Sequence, residues 1–214
     1  MSKQSKHSSQ GGFTIMELLV ATMVFAVVLL VVTGGILQIA RVYYKGVTEA
    51  STQNTARSVM DTISQAIQFS GGTVTTTASS PVAGNAYAFC VGNQQFSYTL
   101  GWQAENGPDA AKHQSYHTLV QATISGCSSS TAAQNVRNQT ISGRDLIGPH
   151  MRLSDLTITN IAENQYKIQL RVVYGDDDLL NNPTTAAASC KGIQAGTQFC
   201  SVSELSTVVV KRVE

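Results

Sequence analysis

A long apolar run near the N-terminus, interrupted by a single carboxylate, constrains this chain more than any other feature. Residues 13–32 read FTIMELLVATMVFAVVLLVV, and Glu17 is the only charge before Arg41 once the run has begun. About 20 apolar residues cross a hydrocarbon core of roughly 30 Å as a helix. The run therefore predicts a membrane-spanning helix that carries an ionisable side chain near one end.

Glu17 is out of place in an ordinary membrane anchor. A carboxylate within such a segment costs on the order of 3 kcal/mol by insertion scales, and such residues usually have a partner or a function. Its position near the end of the run would also let the side chain snorkel toward the interface. The two readings are a functional glutamate and a plain signal anchor with a stray charge, and the residues around Glu17 favour the first.

The flank of the run identifies a known kind of signal. Lys3, Lys6 and His7 precede the run as in a secretory signal, but no convincing small-residue cleavage site follows it. Residues 12–21, GFTIMELLVA, closely resemble the class III signal of type IV pilins and type II secretion pseudopilins. The resemblance implies that prepilin peptidase cuts between Gly12 and Phe13, that Phe13 is then N-methylated, and that the apolar run is retained.

The same resemblance implies a role for Glu17 in subunit docking. In a filament of parallel subunits, the ammonium of one Phe13 can meet the Glu17 carboxylate of a neighbour, and this makes the buried charge tolerable. The implied partners are the peptidase, other pilin or pseudopilin subunits, and the membrane. Chain length and the large loops resemble minor pilins of PilW type and J-type pseudopilins, which implies a role in an initiating or tip complex.

Two alternatives stay open at this stage. The chain could be a type II secretion pseudopilin, or a membrane-anchored ectodomain that binds or catalyses while its N-terminus merely tethers it. A net charge of +1 with 13% charged residues offers no broad basic face, so nucleic acid is not a predicted partner. No cofactor is expected.

The chain divides into four predicted parts: a leader (1–12), a transmembrane half-helix (13–35), an amphipathic half-helix (36–70) and an exterior β-rich domain (71–214). One helix from about Phe13 to Phe69 would join the second part to the third. The pair Gly34-Gly35 weakens the helix by on the order of 1 kcal/mol per glycine, and either a bend or close helix packing would explain it. The predicted apolar face of the helix comprises Ile36, Ile39, Ala40, Tyr43, Val47, Val59, Ile63 and Ile67.

The sequence after the helix has the period of strands. Ser70-Gly71-Gly72 is a stop signal, and alternating or β-branched residues predict strands at 86–91, 95–100, 118–124, 156–161, 166–174 and 207–213. Polar connections are predicted at 101–116, 128–145 and 175–204. One helix followed by antiparallel strands favours an α+β fold in which the amphipathic half-helix covers a sheet, as in type IV pilins.

The four cysteines all lie in the proposed exterior domain, which favours disulfides. Of the three possible pairings, we favour Cys190 with Cys200, since a short polar loop closes easily, and then Cys90 with Cys127 by elimination. Metal binding by these cysteines is disfavoured because no CxxC pair is present. Lys3 and Lys6 favour a cytoplasmic leader, but Arg41 and Lys45 follow the apolar run and make the charge contrast nearly neutral, so the cysteines decide that the domain is exterior. The chain is expected to cross the inner or cytoplasmic membrane once and to reach a filament or the cell surface.

Catalytic and metal-binding patterns are weak. His113 and His117 have a spacing that could serve a metal on a helix, but no HExxH context surrounds them, and they are predicted as solvated loop residues. Asp176-Asp177-Asp178 lacks the spaced ligands of a calcium loop and is predicted as a solvated turn. No GxSxG elbow frames a serine. The prediction is therefore a structural subunit with no catalytic residues and no metal site.

Overall fold

The computed structural model describes residues 12–75, 86–124, 143–192 and 196–213. Its first element is a helix, α1 (Ile15–Phe69), which is uninterrupted over 55 residues. The helix passes through Gly34 and Gly35 without a break, and no atom lies within 4 Å of where a Cβ would stand on either glycine. The long helix predicted from the sequence is confirmed.

The chain forms two compact units, which divide between Val42 and Tyr43. In the first unit, the described residues from Gly12 onward are almost all exposed, and they include the apolar part of α1. Among the described residues, α1 is the one helix long and apolar enough to cross a membrane. The second unit holds the rest of α1 and every described strand.

Eleven strands follow the helix in the described chain. They are β1 (Ala86–Val91), β2 (Gln94–Thr99), β3 (Gln103–Ala104), β4 (Gln114–Ser115), β5 (Leu119–Thr123), β6 (Arg144–Asp145), β7 (Met151–Ala162), β8 (Gln165–Tyr174), β9 (Leu180–Asn181), β10 (Ser189–Cys190) and β11 (Ser201–Val210). Short 3-10 turns occur at Ala110–Lys112, Asp177–Leu179 and Thr197–Phe199.

The strands form three sheets. One has the order β1-β2-β5-β6, a second has the order β11-β8-β7-β3-β4, and β9 pairs with β10 alone. All pairings are antiparallel except that of β3 with β4. The predicted α+β architecture, one long helix followed by antiparallel strands, is confirmed.

Two tight hairpins join β1 to β2 and β7 to β8. Gly92 begins the β1–β2 turn at a φ of +59°, a conformation that glycine adopts without a steric penalty. Asn164 holds a φ of +59° in the β7–β8 turn, and asparagine tolerates this region better than most residues. The turn comprises Glu163 and Asn164, since β7 ends at Ala162 and β8 begins at Gln165.

The core lies between the second half of α1 and the two larger sheets. A stripe on the helix supplies its buried apolar side chains, namely Ala56, Val59, Met60, Ile63, Ala66 and Ile67. They share one cluster with Phe89 and Phe96 of the first sheet and with Ile168 and Leu170 of the second. Full burial of one such aliphatic side chain is worth roughly 1.5–3 kcal/mol, so this stripe fixes the helix on the sheets.

Two predicted strand starts are wrong. Strand β11 begins at Ser201 and not at residue 207, so it occupies part of the predicted 175–204 connection. Strand β7 begins at Met151, five residues before its predicted start. In both strands polar residues, such as Ser203 and Ser154, take buried positions, and this conceals the alternation by which strands are recognised.

The predicted apolar face of the helix is also too long. Ile36, Ile39, Tyr43 and Val47 are exposed, and the first buried residue of α1 is Thr48. The spacing of apolar residues along a helix does not show whether they pack against a sheet of the same chain or against lipid or another molecule.

Candidate functional site

The predicted cleavage junction lies just ahead of the helix. Gly12 and Phe13 precede the first helical residue, and Phe13 is 83% exposed. No atom lies within 4 Å of the Cβ position at Gly12. The peptide bond between these residues is therefore not shielded by the described part of the chain. Residues 1–11 of the predicted leader lie outside the described residues.

Thr14 starts the helix at this junction. Its hydroxyl oxygen accepts a hydrogen bond from the Glu17 backbone N–H (3.2 Å), and its carbonyl accepts one from the Leu18 N–H (3.1 Å). A threonine cap followed three residues later by glutamate has the sequence of a capping box. The helix thus begins immediately after Phe13, and Glu17 lies in its first turn. We did not predict this role of Thr14, although the pattern T-x-x-E before an apolar run would have revealed it.

The Glu17 carboxylate has no cationic partner within the described chain. None of the ion pairs among the described residues includes it, and the residue is exposed. Its position in the first turn is favourable in itself, since the positive end of the helix dipole stabilises an acid there by about 0.3–1 kcal/mol. The Glu17 carboxylate is therefore available to pair with a cation from another molecule.

The apolar surface that follows Glu17 is uncovered. Every described residue from Gly12 to Ile39 is exposed, including all the leucines, valines and phenylalanines of the run. Monomeric soluble proteins rarely expose a continuous apolar surface of more than a few hundred Å². Lipid or other protein must therefore cover this half of the helix.

The cysteines lie in the second unit. Cys190 and Cys200 form a disulfide, as predicted, which joins β10 to the residue before β11. Cys90 on β1 is also disulfide-bonded. Its predicted partner, Cys127, lies outside the described residues, so that pairing stays a prediction.

His113, His117 and Asp177 lie in loops or turns, as predicted, but their side chains are partly buried and each contacts another polar side chain. Nδ1 of His113 lies 2.6 Å from a carboxylate oxygen of Asp177, and Nδ1 of His117 lies 2.8 Å from Asp145. The two histidines thus face different acids and do not share a site. In the described part of the chain, no three His, Cys, Asp or Glu side chains are grouped as metal ligands.

Asp177 also pairs with a buried cation that we did not predict. Arg152 on β7 is 0% exposed, and its Nη1 lies 2.6 Å from an Asp177 carboxylate oxygen. The guanidinium donates further hydrogen bonds to the carbonyls of Gly101, Gly175 and Pro183. Arg152 therefore ties three loops to the sheet. An arginine within a strand-like segment gives no sequence signal that it will be buried.

The comparisons with known proteins agree with this geometry. Residues 7–33 match the family described as the prokaryotic N-terminal methylation motif. Searches of curated proteins and of solved structures gave no match. This motif is the class III signal peptide of type IV pilins, and it covers 27 of the 214 residues. The long helix followed by antiparallel strands is a pilin-like α+β architecture.

Proposed function

We propose that this chain is a minor pilin-like structural subunit of a type IV pilus or a related filament. Prepilin peptidase cuts between Gly12 and Phe13, and Phe13 is then N-methylated. The cut chain waits in the cytoplasmic membrane, crossing it once with the domain after Tyr43 outside, until it joins the filament. The methylation motif and the retained apolar helix support this course.

The observation that carries the proposal is Glu17, which forms no ion pair with a described residue and lies at the start of an exposed apolar helix. After cleavage, the ammonium of Phe13 would stand beside the positive end of its own helix, which disfavours a cation. A Glu17 carboxylate on a neighbouring helix would stabilise that ammonium and would find its own missing partner. The pairing needs two subunits, so it favours assembly over a solitary anchor.

A place in an initiating or tip complex is the finer part of the proposal. It rests on the resemblance to minor pilins of PilW type and to J-type pseudopilins. A pseudopilin of type II secretion is the second candidate, since such pseudopilins carry the same N-terminal signal. The number of copies per purified filament separates a minor subunit from a major one, and the presence of a secretin operon beside the gene would favour secretion.

Replacing Glu17 tests the docking role. In Glu17→Ala we expect normal cleavage but a loss of the chain from sheared filaments on the order of tenfold, because a neighbour's Phe13 ammonium is left unpaired. Glu49→Ala is the matched control, since Glu49 lies on the same helix, is half exposed and, among the described residues, forms an ion pair with Lys45 alone. Quantitative immunoblots of filament and membrane fractions provide the measurement. Equal incorporation of Glu17→Ala and the parent chain would contradict the docking role.

A further inference from the structure

Strand β11 leaves one edge of the larger sheet unpaired. It pairs with β8 over ten residues without a register shift. Just beyond these strands, the Lys211 N–H donates to the Asn164 carbonyl. This bond shows which residues of β11 form main-chain hydrogen bonds to β8. Odd-numbered residues of β11 therefore bond to β8, and the N–H and C=O groups of even-numbered residues point to the other side.

The chain closes this edge at both ends. Next to Val202, the N–H of Cys200 donates to the Thr197 carbonyl, and Lys45 Nζ donates to the Cys200 carbonyl at 2.6 Å. Beyond Val210, the N–H of Arg212 donates to the Gln68 carbonyl at 3.0 Å. Between these ends, five residues present outward N–H and C=O groups that have no partner within the described chain. They are Val202, Glu204, Ser206, Val208 and Val210. At about 3.4 Å per residue, the free edge is roughly 27 Å long.

The other strand edges in the described part of the chain are short, occupied or irregular. β4 and β6 have two residues each. The edge of β1 is met by residues 73–75, through a bridge from Val74 to Val91. β7 carries two register shifts, and the Tyr98 hydroxyl donates to its Leu156 carbonyl. Proteins usually protect long edges with bulges, prolines or inward-pointing charges, and β11 has none of these.

We propose that the free edge of β11 receives an extended segment from a neighbouring, different pilin-like subunit as an added strand. The inference rests on the proposed function, because it needs a second membrane-anchored subunit beside this one. Strand addition would pair the five outward N–H groups and the five outward carbonyls with main-chain groups of the partner. It would also cover Val208 and Val210, which are 53% and 51% exposed.

The charges beside the edge indicate the chemistry of the added strand. Glu204 is already paired with Arg171 (3.1 Å) at one end. At the other end Lys167, directly opposite Val208 on β8, forms no ion pair with a described residue, and neither do Lys211 and Arg212. A complementary segment therefore has β-branched residues opposite the valines and a carboxylate near Val208 or Val210.

A second copy of the same edge does not fit the membrane anchors. Two copies of β11 could pair antiparallel about Ser206, with Glu204 opposite Val208 of the other copy. Lys45 lies at the Cys200 end of β11 and Gln68 at the Arg212 end, so this part of α1 runs in the same direction as β11. A two-fold axis would then place the two Tyr43 ends, to which the anchors are joined, at opposite ends of the pair. The proposed function needs both anchors to begin on the same side of the pair, and this pairing does not provide that.

Hydrogen exchange on the complete chain tests the inference directly. Backbone exchange is compared, residue by residue, between mature protein in detergent and the same protein in purified filaments. We expect the amides of Glu204, Ser206 and Val208 to slow by on the order of tenfold or more in filaments. The odd-numbered amides from Ser203 to Val209 already bond to β8, so they should be protected in both states.

The outcomes separate the two proposals. If the chain is absent from filaments, the proposed function and strand addition both fail. If the chain is present and its even-numbered amides exchange as fast as in detergent, strand addition alone is overturned. Zero-length cross-linking of amines to carboxylates in the filaments identifies the partner. A link from Lys167 to a different chain with an N-terminal methylation motif supports the assignment, and a link to Glu204 of a second copy overturns it.

A proline on the edge provides an independent test. Val208→Pro removes an outward N–H that makes no bond in the monomer, whereas Val208→Thr keeps it and is the matched control. We expect the proline variant to be cleaved normally but to be reduced in filaments about fivefold relative to the threonine variant. Equal melting temperatures for the two detergent-solubilised variants show that the monomer fold is retained. Equal incorporation of both variants would contradict strand addition.

Discussion

The two halves of α1 contain similar residues with opposite surroundings. In the second half, Ile63 and Ile67 are completely buried against the sheets. In the first half, Ile39 is 72% exposed, and the large apolar residues before it are exposed as well. The same residue type at the same helical spacing therefore serves two different partners. One half is stabilised by its own chain, and the other must obtain its contacts from lipid or from neighbouring subunits.

Because of this difference, substitutions in the two halves of α1 should change different measurable properties. Changes after Thr48 should alter the free energy of unfolding of the exterior domain. Changes in the apolar half should leave that free energy almost unchanged and should alter processing, membrane retention or assembly.

The largest effect is expected from the buried cation. Arg152→Ala should lower the free energy of unfolding of the exterior domain by about 3–5 kcal/mol, because it removes the donor to three loop carbonyls and leaves Asp177 with His113 alone as a partner. Lys112→Ala is the control, since Lys112 is exposed and lies 3.8 Å from Asp109, and it should change stability by less than about 1 kcal/mol. Denaturant titration of the detergent-solubilised proteins measures both. Similar midpoints for the two variants would show that Arg152 does not hold the loops.

The direct comparison of the halves uses one substitution at two places. Ile63→Ala should cost about 2–5 kcal/mol, because it removes a fully buried side chain from the core and leaves a cavity. Ile39→Ala should leave the unfolding midpoint of the exterior domain unchanged, because that side chain packs on nothing within the described chain. Thermal and denaturant unfolding monitored by near-UV circular dichroism distinguish them. A comparable loss of unfolding free energy in both variants would contradict the difference between the two halves of the helix.

A smaller, pH-dependent effect is expected at Tyr98. Burial, with minor contributions from Tyr87 and Asp155, raises the pKa of the Tyr98 phenol above its usual range. The neutral phenol therefore contributes stability that is fully present below the unfolded-state pKa of about 10 and is lost as the pH rises above it. Unfolding midpoints from pH 7 to pH 11 should fall for the parent chain and fall less for Tyr98→Phe. Parallel curves for the two proteins would contradict this role.

Much of this architecture can be predicted from the sequence, because several local patterns indicate the same fold. The apolar run, the Ser70-Gly71-Gly72 stop and the strand periodicity each predict an element that the structure contains. The junction at Gly12-Phe13 and Glu17 is equally local, so a ten-residue pattern was sufficient to suggest its role. Short-range chemistry of this kind does not depend on what the rest of the chain does.

The features that escaped prediction depend on distant contacts. Arg152 is buried because loops containing Gly101, Gly175 and Pro183 converge on it, and nothing near Arg152 in the sequence records this. The start of β11 is hidden because Ser201 and Ser203 are polar yet buried. The apolar positions from Ile36 to Val47 look like core but are exposed. To predict the burial of these residues, one must know which other part of the protein packs against each of them.

The most direct test is the mass of the N-terminal peptide of the mature protein, isolated from membranes or filaments. We predict a chain that begins at Phe13, carries one additional methyl group on its α-amine and retains the apolar half of the helix. A chain that keeps residues 1–12, or one that begins beyond Ala40, would contradict the assignment of the junction and the role of Glu17 that depends on it.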